Sequence, residues 1–104
     1  MKYAVGLLIE LRHSTPSKDE NLWEYRVVLV EAICEEEARE KAEILGKDYE
    51  TTYEALKGDF VTWKFIQVDS VSEIEDEGLK DGSELFSRFM SDSTVKSLLT
   101  PFDD

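Results

Sequence analysis

Cysteine occurs once in the 104 residues, at Cys34, so no disulfide can form within the chain. That excludes a small secreted scaffold held by cross-links and predicts a reducing, cytoplasmic setting. Long apolar runs are absent as well. No stretch approaches the roughly 20 residues that a membrane-spanning helix needs. The opening segment MKYAVGLLIELRH carries one lysine, alternates in character and contains Glu10, which is not the pattern of a signal peptide.

Basic residues are scarce: 12 against 24 acidic ones, for a formal net charge of −12. Nucleic acid and anionic membranes are bound through clustered Lys and Arg, so both are excluded as expected partners. Basic proteins, metal cations and plain solubility remain. The acid is spread along the chain, with a net −5 over residues 1–52 and −7 over residues 53–104.

The common signatures of nucleotide and zinc chemistry are missing. There is no G-x-x-x-x-G-K-[ST], no G-x-G-x-x-G, no H-E-x-x-H and no cysteine pair at metal spacing. No cofactor and no metal site are implied. Histidine occurs once, at His13. A histidine base needs an orienting acid and a nucleophile held nearby, and the neighbouring Ser14 and Ser17 do not supply that by adjacency, so His13 reads as a solvated side chain. Cys34 stands where a helix begins, but Glu35, Glu36 and Glu37 follow and oppose a thiolate. It reads as a small residue at a cap.

What is present is enough for one core. Five Phe, four Tyr and two Trp supply large apolar areas, and a chain of this length buries roughly 65% of its unfolded surface. YAVGLLIELR alternates with period two, placing Tyr3, Val5, Leu7, Ile9 and Leu11 on one face of a strand. HSTPSKDEN reads as an exposed loop. LWEYRVVLVEA is a second strand, with Trp23, Tyr25, Val27 and Leu29 on one face and Val28 and Val30 on the other. At Cys34 the period changes. Ala38, Ala42, Leu45 and Tyr49 recur at helical spacing, and three glutamates sit in the first turn. The helix ends near Tyr49. A short strand follows and turns at Lys57-Gly58-Asp59 into a strand over residues 60–68. There, Val61, Trp63 and Phe65 alternate against Ile66 and Val68. Asp81-Gly82 is a turn, ELFSRFM is a strand or short helix, and SDSTVKSLL is a helix.

The expected fold is therefore α+β: an antiparallel sheet of four to five strands in β-β-α-β-β order, with one main helix on one face. Residues 1–90 form a single domain. Residues 91–104 are an extension, either part of that domain or a flexible tail. One helix covers one sheet face, so the other must be covered by the C-terminal segment, a second copy or a partner. Val28, Val30, Ile66, Val68 and Leu8 are expected on that other face.

The acidic segment places Glu73, Glu75, Glu77, Gly78 and Glu84 at positions 1, 3, 5, 6 and 12 of a calcium loop. Glutamate stands where the loop needs Asp or Asn, and Lys80 lies within it, so tight calcium binding is not expected. Arg88 sits among large apolar residues, positioned to pair with Glu84 if the segment is helical.

FVTWKFIQV followed by DGSELFSRF resembles a family of small bacterial domains known only as a domain of unknown function, with a V-x-W-K-F strand and a D-G-x-E-x-[FY]-S-R segment. Glu36-Glu37-Ala38 and Lys41-Ala42 resemble the family's helix. The resemblance spans roughly residues 3–89 and implies a small α+β domain with no activity or catalytic residues to carry over. It marks Trp63, Lys64, Phe65, Gly82, Glu84, Ser87 and Arg88 as a shared core or site. Trp63, Lys64, Glu84, Ser87 and Arg88 are taken as binding residues. The expected function is a non-enzymatic acidic interaction protein that neutralises a basic partner such as a toxin or nuclease. The alternative is a self-associating structural module, a homodimer. A small enzyme using Glu84 and Arg88 beside Ser87 ranks below both.

Overall fold

The computed structural model describes residues 1–15, 22–75 and 79–99. Along the chain run β1 (Lys2–His13), β2 (Trp23–Glu31), α1 (Glu35–Asp48), β3 (Thr51–Leu56), β4 (Asp59–Ile74) and α2 (Asp92–Leu99). The four strands make one antiparallel sheet in the order β2-β1-β4-β3. The fold is α+β in the expected order, with α1 as its main helix.

The central strand β1 is apolar on both faces near its start: α1 lies over one face, and Leu79 and Leu85 lie by Ala4 on the other. It pairs with β2 without a break, from Lys2 opposite Glu31 to Glu10 opposite Trp23. Its pairing with β4 runs from Lys2 opposite Ile74 to His13 opposite Val61, with shifts between Gly6 and Leu7 and between Leu8 and Ile9. Gly6 faces Ser70 and Leu7 faces Val68, so Asp69 is the extra residue of one bulge. Leu8 faces Gln67 and Ile9 faces Phe65, so Ile66 is the extra residue of the other.

Those bulges overturn the face expected for Val68. Strict alternation puts Ile66 and Val68 opposite Phe65. The extra residue at Ile66 resets the alternation, and Val68 joins Tyr3, Val5, Leu7 and Val30 in the core beneath α1. Val28 and Phe65 pack against the same cluster. Val28 and Val30 lie on this side for a separate reason: in the unbroken β1–β2 ladder they stand opposite Val5 and Tyr3, so most of the residues expected on an open second face belong to or pack against the helix-side core. β4 also runs six residues past the expected Val68, because β1 offers a pairing partner along its full length.

α1 forms for the reasons its sequence suggests. Ala38 and Ala42, one turn apart, are fully buried and let the helix approach the sheet closely. Glu35, Glu36 and Glu37 occupy the positive end of the helix dipole. Lys41 pairs with Glu37 one turn back at 3.1 Å. The helix ends at Tyr49, whose N–H reaches the Leu45 carbonyl at 3.1 Å. Burying side chains such as Val5, Leu7 and Ile9, each at most 1% exposed, contributes about 1.5–3 kcal/mol apiece.

The Lys57-Gly58 turn closes the β3–β4 hairpin, with Gly58 at φ +84°. Asp81-Gly82 is a turn as expected, with Gly82 at φ +93°. ELFSRFM is neither strand nor helix, and residues 83–91 run without regular structure. α2 forms where expected, and none of its residues is buried. Among the described residues no helix is long and apolar enough to cross a membrane.

Candidate functional site

The sheet face opposite α1 carries the most organised group of polar side chains. It starts from Gly6. A Cβ there would lie 2.5 Å from Tyr25 Cζ and 2.9 Å from Ser70 Oγ, so the missing side chain is what lets the Tyr25 ring lie flat across β1. The Tyr25 hydroxyl donates to Asp69 Oδ2 at 3.0 Å and lies 2.9 Å from Ser70 Oγ. Asp69 is the bulged residue of β4, and the bulge aims its carboxylate at this corner. Arg88 then closes over the group. Its guanidinium carbon sits 5.2 Å from the centre of the Tyr25 ring and its Nη1 lies 3.5 Å from Asp69 Oδ2. Phe86 packs on the same ring, centroids 6.0 Å apart at 47°.

Burial, with the Asp69 carboxylate beside it, pushes the Tyr25 phenol above its usual range. The hydroxyl is therefore a fixed donor at neutral pH and not a base. Beside this corner a hollow of about 310 Å³ is lined by Ala4, Val27, Leu29, Ile74, Leu79 and Leu85, with Lys2 at its rim. The C-terminal segment thus lies over part of the face opposite the helix, through Leu79, Leu85, Phe86 and Arg88. Phe89, Leu98 and Leu99 remain exposed.

A second polar group sits at the far end of β1. His13 Nδ1 is 3.0 Å from Asp59 Oδ2, and Ser14 Oγ donates to Asp59 Oδ1 at 3.4 Å. The Thr15 N–H donates to the same oxygen at 3.2 Å, and Ser14 Oγ accepts from the Phe60 N–H at 2.9 Å. The hydrogen bond from His13 holds the Asp59 carboxyl below its usual range. Histidine, acid and serine are all present, but the serine bonds the acid, whereas a histidine-activated nucleophile would bond the imidazole. This arrangement pins the end of β1 to the start of β4.

The five expected binding residues fall in two places. Trp63 is half-buried on β4, level with Leu11 and Thr51. Lys64 pairs with Glu50 at 3.2 Å, and Glu50 also accepts the Phe65 N–H at 3.0 Å. The hydrogen bond from Lys64 draws the Glu50 carboxyl below its usual range. Arg88 lies elsewhere on the sheet, at the Asp69 bulge. Glu84 and Ser87 are exposed in the irregular segment. Arg88 does not pair with Glu84 as expected, because the segment is not helical and Asp69 is the acid within reach. Tyr25, Asp69, Ser70 and Phe86 were not anticipated. Gly6 in an otherwise apolar strand was the one local sign of a close approach. Of the calcium-loop positions, Glu77 and Gly78 lie outside the described residues, and Glu73 belongs to β4. Among the described residues no three acids, histidines or cysteines gather as a metal site.

A family profile described as Domain of unknown function (DUF4288) matches residues 2–87. The chain belongs to this family. No curated protein and no solved structure matches it. The DUF4288 match takes in the whole sheet, α1 and four members of the Tyr25 corner, and it stops one residue before Arg88. Arg88 and α2 are outside the matched span.

Proposed function

We propose that this DUF4288 domain is a non-enzymatic interaction protein whose acidic surface engages a basic protein. The observation that carries the reading is how the cations are used. Lys2, Arg12, Arg26, Lys41, Lys64 and Arg88 each lie within 4 Å of a carboxylate of the same chain. With 12 more acids than bases, the charge left to face solvent is negative. Such a field steers cationic proteins and repels nucleic acid and anionic lipid. The ordered chemistry on both corners supports the same reading, since the hydroxyls of Tyr25 and Ser14 are spent on carboxylates. A partner of the toxin or nuclease type has the required basic surface.

Affinity capture from the native cell, repeated at low and high salt, tests it. The expected partner is a basic protein released by salt, whose binding weakens with the charge reversals Glu36→Lys and Glu40→Lys on the exposed face of α1. Capture that is indifferent both to salt and to those reversals would sink the proposal. One observation favours a second reading, self-association: the outer edge of β2.

A further inference from the structure

The sheet has two edges, and they differ. β3 is six residues long and carries a register irregularity between Glu54 and Leu56. Short length and bulges are two of the ways an edge is protected from pairing. β2 is nine residues long, contains no proline and pairs regularly with β1 throughout.

The ends of β2 show which backbone groups face outward. The Leu11 N–H donates to the Leu22 carbonyl at 2.8 Å, and the Ala32 N–H donates to the Met1 carbonyl at 3.0 Å. Even-numbered residues of this segment therefore turn their backbone groups toward β1. The odd-numbered Trp23, Tyr25, Val27, Leu29 and Glu31 turn theirs outward. The Glu31 carbonyl accepts from Lys41 Nζ at 2.9 Å. From Trp23 to Leu29 the outward N–H and C=O groups have no partner among the described residues. Beside them, Val27, Leu29 and Ile44 of α1 are 45%, 60% and 63% exposed.

We propose that β2 pairs antiparallel with β2 of a second copy, about a two-fold axis through Val27. The strand's own sequence selects this register. An axis at Arg26 sets Arg26 directly against its symmetry mate, and like charges in that position are destabilising. An axis at Val28 sets Glu31, whose carbonyl Lys41 already occupies, against Tyr25 and leaves Trp23 without a partner in the strand, whereas the axis at Val27 meets Glu31 only in its last pair, with Trp23. An axis at Tyr25 leaves Leu29 and Ile44 outside the contact. With the axis at Val27, Tyr25 faces Leu29, Val27 faces Val27, Arg26 faces Val28 and Glu24 faces Val30. No like charges meet, and the exposed aliphatic side chains cover one another. The same self-complementarity favours a second copy over an unrelated strand, since an isologous contact must match a surface to itself. A net charge of −12 on each copy opposes the contact, and salt screens that repulsion as the Debye length falls from about 30 Å at 0.01 M to about 8 Å at 0.15 M. Self-association is therefore expected to strengthen with salt, whereas capture of a basic partner weakens. The two proposals can fail separately.

Sedimentation equilibrium of the full chain over a wide concentration range is the test. The wild type is expected to dimerise, with a Kd that drops several-fold over that salt interval. Val27→Lys and Val27→Glu should each be monomeric alone, with unchanged far-UV circular dichroism, and should dimerise when mixed one to one, because residue 27 faces itself. Val27→Pro is a second variant. Its lost N–H points outward, so the β1 pairing survives while the intermolecular bonds do not, and it too should be monomeric. A wild type that stays monomeric at every concentration overturns the proposal. So does a dimer that persists in Val27→Lys or Val27→Pro, or a charge-swapped mixture that remains monomeric.

Discussion

Cys34 begins α1 with an extended backbone, φ −156° and ψ 169°, and its side chain makes no capping hydrogen bond. That backbone suits a capping hydroxyl, which would accept from a free N–H of the first turn. Cys34→Ser is expected to stabilise the fold by about 0.5–1 kcal/mol and to raise Tm by several degrees in thermal unfolding; an unchanged or lowered Tm would refute the cap assignment. Asp59 gives a prediction in pH. Its carboxyl is held below the usual range by the hydrogen bond from His13, so the folded state favours the ionised form. The resulting stability is present above the ordinary carboxyl pKa and is lost as pH falls through the lower, folded value. The Tm advantage of wild type over Asp59→Asn should thus be full at about pH 6 and shrink from about pH 4 downward. A difference that stays constant into strong acid would show that the carboxylate's charge has no part in pinning β1 to β4.

Helix α1 rests on the sheet through Gly46. A Cβ at that position would stand 2.5 Å from Phe65 Cδ1 and 2.6 Å from Cε1. Two effects compete in Gly46→Ala: alanine gains about 1 kcal/mol in helix propensity, while forcing a side chain into a filled contact costs about 1–3 kcal/mol. The ring is flat against the glycine and has the sheet behind it, so the steric term is expected to win. Net destabilisation of about 1 kcal/mol would lower Tm by about 4–8 °C. In the Phe65→Leu background the same substitution should be neutral or stabilising; equal effects in both backgrounds would mean that the ring is not the obstacle. Gly46 also shows what a sequence conveys at this scale. The helix was legible, because the apolar period changes at Cys34 and returns before Phe60. The β-β-α-β-β order was legible for the same reason. The bulges at Ile66 and Asp69 were not, since an extra residue has no periodic signature and reverses every side chain beyond it. That is why Val68 was placed on the wrong face. The Tyr25 corner was hidden for a related reason. Arg88 stood out as a charge among aromatics, but its partner Asp69 is 19 positions away and is aimed by a bulge.

Across the whole molecule, the chain covers part of its own second face. Leu79, Leu85, Phe86 and Arg88 lie on the side of the sheet away from α1, while every residue of α2 is exposed. The domain's stability should therefore depend on residues 79–90 and hardly at all on α2. A chain of residues 1–90 is expected to melt within a degree or two of the full chain, since exposed residues such as those of α2 contribute little. A chain of residues 1–78 loses the partial burial of three large apolar side chains, about 1 kcal/mol each, and the Arg88–Tyr25 stacking, about 0.5–1 kcal/mol. Against this, the shorter chain no longer has a segment to order, which returns backbone entropy. The irregular path of residues 83–91 limits that return, because few of their dihedrals are fixed by backbone hydrogen bonding. The net expected loss is on the order of 1–2 kcal/mol, or roughly 5–15 °C in Tm. The 1–78 chain also bares Ala4, Val27, Leu29 and Ile74 as one apolar patch, so light scattering should show it associating more strongly than the full chain. If the 1–78 chain melts with the full chain, the segment contributes no stability. If instead the 1–90 chain loses the stability, α2 covers the face and not the Leu85–Arg88 stretch.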